Sequence, residues 1–345
     1  TKDMAVEGLD LVTDGEWVWA DKTSLGGDNG IAVAMILAIL ADDTLAHPPI
    51  EAVFTVDEEV GMDGAFALDC SDLKGRKLLN LDSELEGVFT VSCAGGMRAD
   101  CHLPGAMEPV SGMSGYAVTL SGLQGGHSGA DIHLGRASAN QQMGRVLYSA
   151  MERFRGLRLA AVSGGQFDNV ICSRCDAVVA IPAGKEAAFE AFIAEFDAVL
   201  KNEYTGCDDG ITLACARTDV TAAISEVTTN LMLHTLLALP QGVQAMSVDF
   251  PGLTQTSLNM GVLRLEDDGL YITFSIRSCI ASQKEMLAQR VHSIVEFAGG
   301  TVTERGMSPG WQYARNSAFR DMVLEAYHDL TGKEGVVEAT HGGLE

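Results

Sequence analysis

Ile50-Glu-Ala-Val-Phe-Thr-Val56, followed at once by Asp57-Glu-Glu-Val-Gly-Met-Asp-Gly64, is the stretch on which the fold turns. Seven residues rich in β-branched and aromatic side chains, free of glycine and proline, read as a buried strand. The acids and glycines that follow end it in a loop. Upstream, a helix is expected from near Asp28 through Ala34 and Leu40. Its apolar run, 31–41, falls short of the roughly 20 residues needed to span a bilayer. Downstream, Lys77-Leu-Leu-Asn-Leu81 and residues 87–92 read as two further strands. Helices alternating with apolar strands predict an α/β fold: a mostly parallel sheet with helices on both faces.

Beyond residue 97 the order changes and then recurs. Strand 116–121, helix 136–151, strands 169–173 and 176–181 and helix 185–200 are followed by strand 210–216, helix 228–239, strands 257–265 and 270–275 and helix 284–298. Each half is β-α-β-β-α, the core of a ferredoxin-like lobe. Three segments are therefore expected: 1–96 as the first part of a catalytic domain, 97–306 as an inserted α+β lid of two such lobes, and 307–345 as an incomplete return to the catalytic domain. The chain begins at Thr1 and stops just after the strand-like Gly-Val-Val-Glu-Ala339 and a His-Gly-Gly turn. It is expected to be the greater part of a longer protein.

Twenty-three lysines and arginines face 47 acids, a net charge of −24. That surplus repels nucleic acid and anionic membranes, so neither is expected as a partner. Most of it reads as solvated surface. Eight irregularly spaced cysteines do not suggest a disulfide framework in a chain this long. Cys172 and Cys175 form a lone C-x-x-C flanked by apolar residues, which reads as strand rather than zinc site. A cytoplasmic protein is expected.

Acid does cluster where chemistry is expected: Asp28 in Ser-Leu-Gly-Gly-Asp-Asn-Gly30, Glu58–Glu59 after the strand 50–56, and Asp82 after 77–81. Open parallel sheets bind ligands beyond the carboxyl ends of their strands. Carboxylates gathered there repel one another unless a cation neutralises them. Oxygen ligands together with histidine suit zinc, manganese or cobalt, and a pair of such ions can activate one water. Asp28 could also simply cap the following helix.

The motifs Thr23-Ser-Leu-Gly-Gly-Asp-Asn-Gly30, Phe54-Thr-Val-Asp-Glu-Glu-Val-Gly-Met-Asp-Gly-Ala65, Leu79-Asn-Leu-Asp-Ser-Glu84, Ser92-Cys-Ala-Gly-Gly96, Gly125-Gly-His-Ser-Gly129, Pro309-Gly-Trp-Gln312 and His341-Gly-Gly-Leu-Glu345 occur in this order. Together they resemble the aminoacyl-histidine (Xaa-His) dipeptidases, within the larger group of carnosinases, aminoacylases and glutamate carboxypeptidase. The resemblance covers the whole chain. It implies two divalent metal ions, zinc first and manganese or cobalt as alternatives, bridged by Asp28 and bound by Glu59 and Asp82. It implies Glu58 as the general base that takes a proton from the metal-bridging water, since a carboxylate already on a metal is a poor base. His127 would polarise the scissile carbonyl or hold its oxyanion. Arg277 would hold the peptide's terminal carboxylate by a bidentate pair, and Asn140 is a further candidate for the substrate pocket.

The chain departs from the family pattern in three places. The H-x-D motif that supplies one ligand, and a ligand histidine, fall outside the residues present, so the segment alone is expected to bind metal weakly or not at all. Asn29 stands where many relatives carry a second aspartate. The function expected is hydrolysis of small dipeptides, Xaa-His or β-alanyl-His. The alternatives are a related tripeptidase, carboxypeptidase or N-acyl amino acid deacylase, or a non-catalytic relative. The lid could mimic, within one chain, a lid–lid contact between subunits, or the chain could form a homodimer through a sheet edge.

Overall fold

The structure, a computed structural model, describes residues 2–83 and 85–344, and the side chains of all of these except Glu59 and Val60. The chain divides into two compact units: residues 1–89 with 316–336, and residues 90–315 with 337–344.

The first unit opens with the hairpin β1 (Leu11–Thr13) and β2 (Val18–Ala20). Helix α1 (Gly30–Ala41) follows, capped by Asn29, whose side-chain oxygen accepts from the Ala32 amide at 3.1 Å. Its sequence is apolar all round, a pattern that normally marks a buried helix, yet only Ala32 is buried. Two one-turn helices, α2 (Glu58–Gly61) and α3 (Asp63–Ala67), come next. Residues 50–56 and 77–81, expected as strands, carry no ladder in the described structure. A strand exists only through a neighbour's hydrogen bonds, and the apolar side chains of these stretches stay open, with Leu78 75% and Val56 65% exposed. Residues 87–92 do form a strand, at Val88–Cys93.

The second unit is built on β3 (Gly95–Pro104), whose side chains alternate strictly. Met97, Ala99, Cys101 and Leu103 are buried, while Arg98, Asp100 and His102 take the other face. There follow β4 (Met113–Ser121), α4 (Ala139–Arg153), β5 (Arg158–Gly164), β6 (Cys175–Pro182), α5 (Glu186–Glu203) and β7 (Thr212–Thr218). Then come α6 (Glu226–Ala238), β8 (Gly242–Met246), β9 (Thr254–Glu266), β10 (Gly269–Ser278), α7 (Ala281–Phe297) and β11 (Thr301–Arg305). Nine strands form one sheet in the order β7-β4-β6-β5-β9-β10-β3-β11, with β8 also paired to β9. Its pairs are antiparallel.

The order shows how the repeat is built. From the central seam outward, one half reads β5-β6-β4-β7 and the other β9-β10-β3-β11. In chain order the halves are β4-α4-β5-β6-α5-β7 and β3-α6-β9-β10-α7-β11, two ferredoxin-like units. The division differs from the sequence reading in its opening strand, and in the sheet strand after α4, which is 158–164 where 169–173 was expected. Strand 212–218 closes the first half and does not open the second. The opening strand of the second half is β3, and the whole first half is inserted between β3 and α6. Strand β5 carries a weak signal, because the small residues of Arg158-Leu-Ala-Ala-Val-Ser-Gly164 have little β preference. The expected strand 169–173 shrinks to Val170–Ile171, which pairs with Gly126–His127 and so anchors the histidine loop.

Helices α4 to α7 share one core with the inward side chains of the sheet. Phe189 of α5 lies 4.9 Å, centroid to centroid, from Tyr116 of β4, and both are fully buried. Among the described residues no helix is long and apolar enough to cross a membrane.

Asn140 sits at the seam of the two halves. It is fully buried on α4, and its amide donates to the carbonyls of Gly164 on β5 (3.3 Å) and Met260 on β9 (3.0 Å). Only two ladder pairs, Leu263–Gly164 and Arg264–Ser163, join the strands there, so this side chain is a substantial part of the junction. At Gly165, φ is +76° and a Cβ would overlap the Gly261 carbonyl, so the close approach needs glycine. We predict that Asn140→Ala lowers stability by about 1–3 kcal/mol, the cost of stranding buried carbonyls. A urea midpoint unchanged from that of the parent protein would refute this.

Candidate active site

In the first unit the acidic positions lie on three loops. Asn29, next to Asp28, donates its side-chain amide to the Leu81 carbonyl at 2.5 Å, and Leu81 precedes Asp82. One asparagine therefore caps α1 and ties the Asp28 loop to the turn bearing Asp82. That turn is shaped locally by the Asp82 amide donating to Asn80 Oδ1 at 2.7 Å. Asparagine performs both tasks at a position where an aspartate could not donate.

Glu58 opens α2 and is exposed. The loop around it is held by unusual backbone: Asp57 and Met62 both adopt left-handed conformations, with φ of 62°. Aspartate tolerates this region, whereas methionine pays of order 1 kcal/mol. The turn is closed by the Gly64 amide donating to the Val56 carbonyl at 3.0 Å. Backbone held in this way fixes the direction in which Glu58 leaves the chain. The Glu59 side chain lies outside the described residues. Among those described, no three histidine, cysteine, aspartate or glutamate side chains gather closely enough to hold a metal ion.

In the second unit, His127 and Arg277 come together although 150 positions apart in sequence. A Cβ on Gly129 would lie 2.9 Å from His127 Cε1 and 3.4 Å from Arg277 Cζ, so Gly129 is the narrow wall between them. His127 Nδ1 accepts from the amides of Gly129 and Ala130, each at 3.2 Å. Two donors on Nδ1 place the proton of the neutral ring on Nε2. The ring is held below the usual histidine pKa by desolvation first and then by the Arg277 charge, with Asp131 opposing. Asp131 also accepts from the His127 amide at 2.8 Å, which fixes the loop. Arg277 is depressed from its ordinary value by burial and by Arg98, with Asp168 opposing, and its buried Nε makes no hydrogen bond.

Asn140, a candidate for the substrate pocket on sequence, is fully buried rather than on the helix surface. Its amide is spent on the sheet seam, as described above. Cys175 opens β6 as expected, whereas Cys172 falls just past the Val170–Ile171 strand; both are buried, and both thiols are pushed up by burial.

One residue near this pair was visible in the sequence only as part of a glycine turn. His341 is 5% exposed, and its Nε2 lies 2.7 Å from Ser257 Oγ. Burial first, then the charges of Arg277 and His133, push its pKa down to about 4, with the Thr254 backbone opposing. The ring is therefore neutral at physiological pH. The signal that could have found it is the histidine heading His-Gly-Gly, whereas Ser257, 84 residues away, carries none.

Comparison with known proteins extends over both units. The peptidase dimerisation domain of the M20 family matches residues 118–206, which run from within β4 to just past α5. The cytosol non-specific dipeptidase of Escherichia coli (strain K12) is 36% identical over 346 residues, covering 99% of this chain and 71% of its own length. The crystal structure of the aminoacylhistidine dipeptidase from Vibrio alginolyticus superposes with a TM-score of 0.92 at 34% identity, covering 100% of this chain and 70% of that one. A mixed α/β architecture with a large sheet and an inserted dimerisation domain, shared along the whole chain with two peptidases, makes this protein a hydrolase that belongs to the aminoacyl-histidine dipeptidase family of M20 peptidases.

Proposed function

We propose that the protein is a metal-dependent dipeptidase that cleaves small dipeptides of the Xaa-His or β-alanyl-His type. The observation that carries this reading is the pairing of His127 with Arg277 across Gly129. In a dipeptide a single residue separates the scissile carbonyl from the terminal carboxylate. A neutral Nε2–H donor for the first must then stand close to a cationic fork for the second, and these two side chains are such neighbours.

Asp28, Glu59 and Asp82 are the residues that would hold two divalent cations. Their oxygen donors fit zinc, manganese or cobalt, and the Asn29 tie between the loops of Asp28 and Asp82 supports a shared site. Bound there, the ions would supply Lewis acidity and a water of lowered pKa. Glu58 takes the proton of the attacking water on its carboxylate and returns it to the leaving amine. His127 donates from Nε2 to the carbonyl oxygen as it gains charge, and Arg277 orients the substrate through its carboxylate. The dimerisation-domain match supports self-association of the chain, and the name of its relative, a cytosol dipeptidase, supports a cytoplasmic setting.

Chelation tests the reading. The full-length protein, dialysed against a chelator, is expected to lose hydrolysis of glycyl-histidine and β-alanyl-histidine by at least ~10²-fold and to regain it with zinc, manganese or cobalt. If the metal-loaded protein hydrolyses no dipeptide in a broad panel, the reading fails.

A further inference from the structure

A cavity of about 190 Å³ in the second unit is lined by Gly129, Ala130, His133, Thr254, Thr340 and His341, among others. Its wall at Gly129 is the one that separates His127 from Arg277. Four polar atoms in this region are buried without a hydrogen-bond partner: Arg277 Nε, His341 Nδ1, Ser128 Oγ and Thr254 Oγ1. Ser128, Thr254 and His341 are each at least 95% buried. Thr254 and His341 line the cavity, Ser128 precedes its wall residue Gly129, and Arg277 Cζ lies 3.4 Å from where a Cβ on Gly129 would be; buried polar atoms are nearly always paired in folded proteins, so these orphans point to an absent partner.

The chemistry of the orphans names that partner. Arg277 Nε can only donate. The two hydroxyls can donate, and so can His341 Nδ1 if Ser257 Oγ–H donates to Nε2. Ser257 and Arg277 face each other directly in the β9–β10 ladder, so their side chains share one face of the sheet. Ser257 thus holds the His341 ring beside the arginine at a fixed rotation. A carboxylate offers about four lone-pair sites and can accept from several donors at once. An ammonium or amide N–H could satisfy none of the arginine's need.

We propose that His341, oriented by Ser257, is a specificity-determining residue that donates from Nδ1 to the same ligand carboxylate that Arg277 binds. This rests on the dipeptidase reading for the identity of the ligand, but not for the presence of the subsite. The ring acts as a neutral donor, because a second full cation beside Arg277 would be repelled. Selectivity follows from the geometry. A ligand with a free carboxylate satisfies arginine and histidine together, whereas its carboxamide keeps one acceptor oxygen and presents an NH₂ group to a donor.

The test uses two probes that need no turnover, L-histidine and L-histidinamide, titrated into the full-length protein and followed by NMR or calorimetry. The parent protein is expected to favour the acid over the amide by at least ~10-fold. His341→Ala is expected to abolish most of that preference, and His341→Asn, whose amide nitrogen can replace Nδ1, to restore it. Ser257→Ala, which keeps the imidazole but frees its rotation, is expected to give an intermediate preference. Thermal unfolding of each variant checks that the fold persists. A parent protein that does not distinguish the probes overturns the proposal. So does a folded His341→Ala that keeps the full preference, or a folded His341→Asn that fails to restore it. If the preference behaves as expected but no dipeptide is hydrolysed, the carboxylate subsite stands and the dipeptidase reading falls.

Discussion

Glu58→Gln in the full-length, metal-loaded protein is expected to lower kcat by at least ~10²-fold while leaving metal content and KM nearly unchanged. Glutamine keeps the length and shape of the side chain but cannot take a proton. Glu58 is the first residue of α2, carried on a loop whose direction is set by left-handed Asp57 and Met62, so an isosteric change there should not move the backbone. The companion variant, Glu59→Gln, is expected to lose metal and activity together, because a neutral amide is a poorer ligand than a carboxylate. Comparing the two separates base from ligand, which neither variant can do alone. If Glu58→Gln strips the metal and Glu59→Gln does not, the roles are exchanged. If neither affects hydrolysis, the peptidase mechanism as proposed is wrong.

The second large effect is expected at His127. Removing one preorganised donor to a developing oxyanion costs about 10²–10³-fold in kcat, and His127→Ala should show that loss with little change in KM. The histidine itself is exposed, and Asp131 binds its backbone amide, so the loop has an anchor that survives loss of the ring. Arg277→Ala should do the opposite, raising KM steeply for substrates with a free carboxylate, because the role proposed for it is binding rather than stabilisation of new charge. A His127→Ala variant that loses affinity and keeps kcat would show that the ring binds ground-state substrate instead.

Much of this protein was legible along the chain because the signals are local. The helices of the second unit follow from apolar spacing over ten to twenty residues, and α4, α5, α6 and α7 stand within a few residues of where the spacing puts them. The helices of the recurrence were visible for the same reason, whereas strand 210–216 was assigned to the wrong half and strand 158–164 was missed. The acidic loops and the histidine loop were marked by glycines and by carboxylates in fixed order, and the family likeness they carry extends over the whole length of the chain.

Tertiary structure alone decided the pairings. No feature of residues 212–218 says that they bond to β4 rather than open a new lobe, since a strand's partner depends on what else competes for its edge. The opening strand of the second half, β3, is separated from α6 by the entire first half, and sequence order cannot reveal an insertion that topology closes in space. Asn140 reads as a polar residue on a helix, and only the meeting of β5 and β9 turns it into a clamp between two carbonyls. Likewise the side chains of Ser257 and His341 acquire meaning only when folding brings them within 2.7 Å, buries both, and sets the charge of Arg277 beside them. The sequence by itself determined the elements, the order of the motifs and the chemical types available. Which of those groups meet, and which are left without a partner until a ligand arrives, was decided by packing, because burial and hydrogen bonding act on distance in space rather than distance along the chain.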